Sequence, residues 1–280
     1  MVMNCILVRY SELALKGSNR SVFERKLAKN IGSCLNLCSH AYEKIERVRN
    51  RIIIHTDKEC LELKHVFGIS SYSPAIICPL SIEGIKDAVS LLTKNLDKAS
   101  TFRVTAQRLS KDFPMDSIEL DKEIGSFVVH NSHAKVSLHS FDLEIGIEIL
   151  RDHSFVFTKR VECAGGLPLG TGGRVVSLIN SNHSIVASWL IMRRGLVVVP
   201  VALTDIDISA LKKYSPGLQP DLTLINDISD LPELIIKSHA KALVLGDASS
   251  FKKPFPDILT LFPLVGFSEN EIDDLFSKIQ

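Results

Sequence analysis

An α/β protein in three parts is what the sequence predicts, and three observations carry the prediction. The chain has 280 residues, more than one ordinary domain needs and enough for two or three. Up to about residue 161 strand-like and helix-like patterns mix, as they do in α+β units. From residue 174 the order becomes strand, loop, buried helix and strand within about thirty residues, the signature of a βαβ unit with a parallel sheet.

The elements follow in chain order. Cys5 to Arg9 reads as a short strand. Ser21-Val-Phe-Glu24 has capping-box spacing, in which Ser and Glu satisfy free N–H groups at a helix start. Phe23, Leu27, Ile31 and Leu35 then recur every four residues as one apolar stripe. VRNRIIIHT reads as a strand; Arg47 just ahead of it, Arg49 and Arg51 alternate and share one face, and VFGISSYSPAIIC closes the first unit. IEGIKDAVSLLTKNL predicts an amphipathic helix. TFRVTAQRL alternates, with Phe102, Val104 and Ala106 on one face and Arg103, Thr105 and Gln107 on the other. LDKEIGSFVVHNS is a second helix, and KVSLHS, FDLEIGIEIL and SFVFTKRV are strands. AGGLPLGTGGR reads as a glycine-rich linker. Arg174 to Ile179 is an apolar strand, Ile185 to Met192 a helix apolar on nearly every side with Gly195 as its C-cap, and LVVVPVAL and ALVLG are buried strands.

Composition narrows the function. Hydrophobic residues make up 45% and charged residues 23% of the chain, a globular profile. The formal net charge of +1 says little about partners, but its distribution says more. Residues 1–60 hold eleven Lys and Arg against six Asp and Glu, while the last hundred residues are slightly acidic. A basic N-terminal end is compatible with nucleic acid and equally with an ordinary solvated face. No apolar run approaches the ~18 residues of a membrane span and no signal-peptide pattern is present, so a cytoplasmic protein with no membrane partner is expected. The six cysteines contain no C-x-x-C pair. Cys34 and Cys38 lie four apart on the first helix, where core packing is expected. His130, His133 and His139 have no supporting carboxylate or cysteine pattern, so no metal site is expected.

The candidate chemistry lies at Asn180-Ser181-Asn182-His183-Ser184, beyond the carboxyl end of a parallel strand and just before a helix, where phosphate is bound in such sheets. Close approach of backbone to phosphate normally calls for glycine, and this loop has none. In FRVTAQRLSKDFP, Arg103, Gln107, Arg108 and Lys111 gather near one strand end. That pattern fits a phosphate-gripping surface or a solvated edge equally.

RYSELALKGSNRSVFERKLAKNI resembles the opening of the tRNA 4-thiouridine synthetases, the ThiI family, with Ser11 where glycine is usual. VFGISSYSPA, FRVTAQRLSKDFPMDS, EIGSFVV and AGGLPLGTGGRVV resemble the same family in the same order. The resemblance is dense over about the first 175 residues. It implies a ferredoxin-like domain (1–75), a THUMP domain (76–164), a linker (165–173) and a degenerate, shortened PP-loop ATP pyrophosphatase-like domain (174–280). It also implies tRNA as partner, held at its acceptor end, with Lys16, Asn19, Arg20, Arg103, Arg108 and Lys111 as candidate backbone contacts.

In the third part the resemblance breaks down. Against the family's SGGxDS loop this chain has NSNHS, with both glycines gone, His183 in place of the acid and only Ser184 kept. Against GDSLGQVASQT it has GDASSFKKPFPDI, keeping Gly246, Asp247 and Ser249. The family accepts sulfur on a cysteine of this domain, and no cysteine follows Cys163. The expectation is therefore a tRNA-binding adaptor with no catalytic residues and no cofactor, serving a separate tRNA-modifying enzyme; a homodimer is compatible with it. The alternatives are an ATP-dependent tRNA sulfurtransferase supplied with sulfur by another protein, and a protein-interaction module that has lost RNA binding.

Overall fold

The computed structural model describes residues 3–15, 17–110, 112–218, 220–246 and 255–280. Lys16 and Lys111, two of the candidate RNA contacts, and Asp247 and Ser249 of the second degenerate motif lie outside the described residues. The chain forms two compact units that do not follow its linear order. One comprises Met1–Arg9, Ala41–Leu61 and Ser71–Glu162, the other Tyr10–His40, Glu62–Ser70 and Cys163–Gln280.

The first unit holds β1 (Cys5–Arg9), β2 (Lys44–Val48), β3 (Arg51–His55), β4 (Ser71–Cys78), β5 (Thr101–Arg108), β6 (Lys135–Val136), β7 (Leu143–Ile149), β8 (Ser154–Phe157) and β9 (Val161–Glu162). They form one sheet in the order β2-β3-β1-β4-β8-β7-β5-β6, with β9 also on β4. β4 is the joint. Its beginning pairs antiparallel with β1, Leu7 facing Ser73, and its end pairs antiparallel with β8, Ile76 facing Val156. β5 and β7 run parallel from Phe102–Leu143 to Arg108–Ile149. A strand buried on both faces reads as a continuous apolar run, and β1 is buried along its whole length. Cys5, Leu7, Ile53, Ala75, Leu150 and Phe155 make one core cluster.

After the label α1 (Arg20–Leu37), which belongs to the other unit, come α2 (Ile82–Leu92) and α3 (Ser117–Ser132). The N-cap of α2 is Ser81, whose hydroxyl accepts from the Gly84 N–H at 3.1 Å. α3 opens on a full capping box, Asp116 accepting from the Glu119 N–H at 2.9 Å and Glu119 from the Asp116 N–H at 2.8 Å. Its Leu120, Ile124 and Val128, four apart, pack with Ile85, Val89 and Phe102 in a second core.

Two local expectations for residues 20–55 give way to other geometry. VRNRIIIHT is not one strand. Its Val48 ends β2 and its Arg51 opens β3, with a turn at Arg49-Asn50 between them and Asn50 in the left-handed region at φ 66°, a conformation asparagine tolerates better than most residues. Arg47 and Arg49 are therefore exposed at a hairpin tip, while Arg51 is buried at 7% exposure. The capping box at Ser21–Glu24 is not formed either. α1 begins at Arg20, its N-cap Asn19 makes no side-chain cap bond, and Glu24 accepts instead from Arg20 Nε at 2.7 Å and from the Tyr10 hydroxyl.

The second unit carries α1 and a five-stranded, all-parallel sheet: β10 (Gly173–Leu178), β11 (Leu196–Ala202), β12 (Thr223–Leu224), β13 (Leu243–Val244) and β14 (Thr260–Leu261), in the order β12-β11-β10-β13-β14. α4 (Asn182–Arg193) is the crossover from β10 to β11; α5 (Ser209–Lys213), α6 (Leu231–Lys237) and α7 (Glu269–Ile279) complete it. Ile185, Val186, Ala187, Trp189 and Met192 of α4 all enter one core with Phe67, Val175, Val198 and Tyr214, which is why this helix lacks a polar face. Arg194 caps it, and Gly195 just beyond takes φ 87°. The stretch read as a linker is packed backbone: the Gly68 N–H bonds Gly165 O at 2.7 Å, the Gly170 and Gly172 N–H groups share Gly195 O at 2.8 and 2.9 Å, and Leu167 and Leu169 are buried.

Candidate nucleic-acid interface

The first unit has a cleft of about 750 Å³. Three turns form its walls. The β2–β3 hairpin brings Arg47, Arg49 and Asn50, the segment after β5 brings Leu109, Ser110 and Asp112, and the β7–β8 turn brings Arg151, Asp152 and His153, over a floor that includes Ile53, Leu150 and Phe155. Arg47, Arg49 and Arg151 are exposed and make no hydrogen bond or ion pair among the described residues. Two nearby acids are already engaged: Glu46 with His55 at 3.0 Å and Lys44 at 3.3 Å, and Asp112 with the Ser110 hydroxyl at 2.7 Å. Hydrogen bonds from His55 head the influences that hold the Glu46 carboxyl below its ordinary range. Free guanidinium groups on turns, over an apolar floor, suit phosphate oxygens.

A buried ionic network ties β1, β3 and β7 together in the same unit. Glu148 of β7 takes Arg9 Nε of β1 at 2.5 Å and Arg51 Nε of β3 at 2.7 Å. Arg9 also donates to the Ser73 hydroxyl at 3.0 Å and lies 4.7 Å from the Phe157 ring centre, and Arg51 donates to Asn50 O at 2.8 Å. Burial alone would raise the Glu148 carboxyl, but the two guanidinium charges and their hydrogen bonds outweigh it and hold the group below its ordinary value. Through Arg51 and Asn50 the network grips the hairpin that carries Arg47 and Arg49.

The described candidates from the sequence lie elsewhere. Arg103 and Arg108 are on β5 but at odd and even positions, so they face opposite sides of the sheet. Arg103 pairs with Glu144 at 2.6 Å and stacks 4.3 Å from the Phe141 ring centre. Arg108 Nη1 donates to Phe113 O at 3.2 Å and Met115 O at 3.0 Å. In the second unit Arg20 donates to the Tyr10 hydroxyl at 3.1 Å besides pairing with Glu24, and Asn19 is exposed before α1. Of the three arginines that the sequence puts on one strand face, Arg47 is on β2 and Arg51 on β3, while Arg49 lies in the turn between them. Arg151 was not singled out from sequence; its only local signal is the Arg-Asp-His run between two strands.

The Asn180–Ser184 loop lies in the second unit, at the carboxyl end of β10 where the sheet order turns back to β13, the place where parallel sheets hold ligands. Ser184 is completely buried. Its hydroxyl oxygen accepts from the N–H groups of Asn180 at 2.9 Å and Ser181 at 3.1 Å, and donates to Ser181 O at 2.7 Å. Two N–H groups ahead of α4 are thus turned onto a side chain of the loop itself. Gly246, after β13, presses on the first turn of α4, and a Cβ added there would stand 2.4 Å from the Ser184 nitrogen. His183 Nε2 lies 3.0 Å from a carboxylate oxygen of Glu269, in the first turn of α7.

Comparison with known proteins gives a consistent picture. The family profile of the ThiI ferredoxin-like domain matches residues 5–73 and that of the THUMP domain residues 81–159. A "Probable tRNA sulfurtransferase" of Thermococcus kodakarensis is 37% identical, over 99% of this chain and 88% of its own length. That alignment runs to 336 positions, longer than the chain itself, so the relative holds residues without a counterpart here. A relative of the same name from Mycoplasmopsis synoviae is 41% identical over 69% of the chain, and the chain spans half of it. Among solved structures, PH1313 from Pyrococcus horikoshii superposes with a TM-score of 0.87 at 30% identity over 99% of both chains. A 4-thiouridine synthetase solved with RNA and ATP superposes with a TM-score of 0.79 at 25% identity, over 99% of this chain and 85% of that one.

Proposed function

The chain belongs to the tRNA sulfurtransferase family, and from that premise we propose that it binds tRNA through the unit that carries its THUMP domain and does not itself thiolate the RNA. The observation that carries the binding half is the set of three arginines, Arg47, Arg49 and Arg151, unpaired among the described residues, around a cleft within the two matched domains. Contacts of this kind give affinity that is steeply salt-dependent and largely blind to sequence, with selection left to RNA shape and the single-stranded end. Lys16, Asn19 and Lys111, named from the sequence, are further candidates for backbone contacts.

The second half rests on the Asn180–Ser184 loop, which has no glycine, spends two N–H groups on Ser184 and lies under Gly246. Residues 164–280 hold no cysteine, so they offer no thiolate for sulfur transfer. On this reading the second unit is a scaffold or a docking surface for a separate modifying enzyme. The rival reading, an ATP-dependent tRNA sulfurtransferase fed with sulfur by another protein, is favoured by the name shared among its curated relatives.

Binding of intact and 3′-trimmed tRNA at two salt concentrations tests the first half. Binding that needs the intact end and weakens with salt is the expected result, and Arg49→Ala with Arg151→Ala should weaken it further. Binding indifferent to trimming and to both substitutions would overturn the reading. Calorimetric titration with Mg-ATP separates the rivals: no heat supports the adaptor, whereas tight binding lost in Ser184→Ala supports the enzyme.

A further inference from the structure

Resting on the RNA-binding reading, we infer that Arg108 is a positioning residue of the cleft, one that shapes its wall without touching phosphate. Arg108 ends β5, at the point where the chain leaves the sheet for the segment 109–116. Three contacts anchor its described residues before α3. The Leu109 N–H bonds Ile149 O at 2.9 Å at one end, and the Asp116–Glu119 capping box fixes the other. Between them Arg108 Nη1 reaches forward to two carbonyls, Phe113 O and Met115 O.

The side chains flanking those carbonyls are themselves anchored. Phe113 is 3% exposed, and Met115 packs against the core under α2 and α3. The guanidinium therefore ties the end of a rigid strand to the buried part of the segment, and the part left over, Leu109, Ser110 and Asp112, is what lines the cleft opposite Arg47, Arg49 and Arg151. Arg108 itself does not line it. Both carbonyl bonds come from Nη1, so two of the five N–H donors of Arg108 fix the guanidinium against the segment, whereas Arg47, Arg49 and Arg151, with no partner among the described residues, can follow a phosphate oxygen. The division of labour follows. Turn arginines meet RNA, and the strand arginine holds the loop between them in one place.

Two signatures separate the roles. A lost phosphate contact lowers the slope of log affinity against log salt by about 0.7–0.9, since one fewer counterion is released. A lost positioning contact weakens binding at every salt concentration and leaves the slope alone. A positioning contact also acts on the free protein, so amide exchange of residues 109–116 reads it with no RNA present.

The experiment compares Arg108→Ala, Arg108→Lys and Arg151→Ala in the full chain, each checked for a native circular dichroism spectrum. Total tRNA is the probe, titrated across a salt series, with hydrogen exchange of the RNA-free proteins alongside. We expect both Arg108 variants to lose on the order of tenfold in affinity with an unchanged salt slope, and their 109–116 amides to exchange roughly tenfold faster. Arg151→Ala should lose slope and leave the loop amides as in the wild type. Arg108→Lys keeps the charge, so wild-type affinity in that variant would overturn the proposal. So would a slope lost in Arg108→Ala with loop exchange unchanged. If Arg108→Ala does not fold, Arg108→Lys decides. Failure of the wild-type protein to bind tRNA would sink the RNA reading instead, and the exchange data alone would then decide whether Arg108 holds the loop.

Discussion

Glu148 is a buried acid that holds two arginines at once. It is 2% exposed, between two guanidinium groups that are themselves nearly out of water. Removing one member of a buried ionic cluster leaves its partners charged and unpaired, which costs about 3–5 kcal/mol. Glu148→Ala should therefore lower the urea-unfolding free energy by about that amount, and it should also disturb the Arg49 hairpin through Arg51. A loss below about 1 kcal/mol would mean that water already reaches the guanidinium groups. None of this was legible in the sequence. Glu148 stands 139 and 97 positions from its partners, and nothing local marks an arginine in an apolar strand as buried. The pattern made the opposite case for Arg51, which was grouped with two exposed neighbours.

At the scale of elements, two segments with the same capping signature behave differently. Ser21-Val-Phe-Glu24 and Asp116-Ser-Ile-Glu119 both fit the spacing, yet only the second forms the box. Side-chain competition decides between them. Glu24 has a cation one turn earlier and a tyrosine hydroxyl within reach, and those charge-assisted bonds outweigh a neutral cap. Asp116→Ala should cost about 1 kcal/mol, read in thermal unfolding. Because this cap also closes the 109–116 segment, the variant should loosen the same amides as the Arg108 variants. Unchanged stability would show that the Asp116 bonds are no stronger than those water supplies. Elsewhere periodicity served well. The stripe of α1, the alternation of β5 and the all-round apolar α4 were each visible, because burial alone sets those patterns. The turn at Arg49-Asn50 was not, since the residues on both sides of it favour strands and only the left-handed Asn50 breaks the run.

For the whole molecule, the fold class and the βαβ arrangement of the second unit could be read before any coordinates. The division into units could not, because α1 and residues 62–70 cluster with the C-terminal part of the chain, and no sequence window records such a return. No helix among the described residues is long and apolar enough to cross a membrane. The second unit also carries its own response to acid. Burial, followed by the charges of Lys213 and Lys64, pushes His65 down to about 4. Between the ordinary histidine value of ~6.5 and that lowered one, the unfolded chain takes up a proton that the folded chain refuses, so stability falls as pH falls. Thermal unfolding followed from pH 7 to pH 4.5 should show this loss, and His65→Phe, which keeps a ring against Tyr214, should flatten it. An equal slope in the variant would assign the acid response to other groups.

The chain has a single tryptophan. Trp189 is 7% exposed in the core of the second unit, with ring centres 5.6 Å from Phe67 and 5.7 Å from Tyr214. Indole emission is then a reporter confined to one half of the protein. Its red shift on unfolding dates the loss of the parallel-sheet core, and the Phe67 and Tyr214 rings beside it belong to the same unit. An unfolding curve taken at that wavelength and one taken from backbone dichroism need not coincide, and a gap between them would measure how far the two halves come apart as separate cooperative bodies.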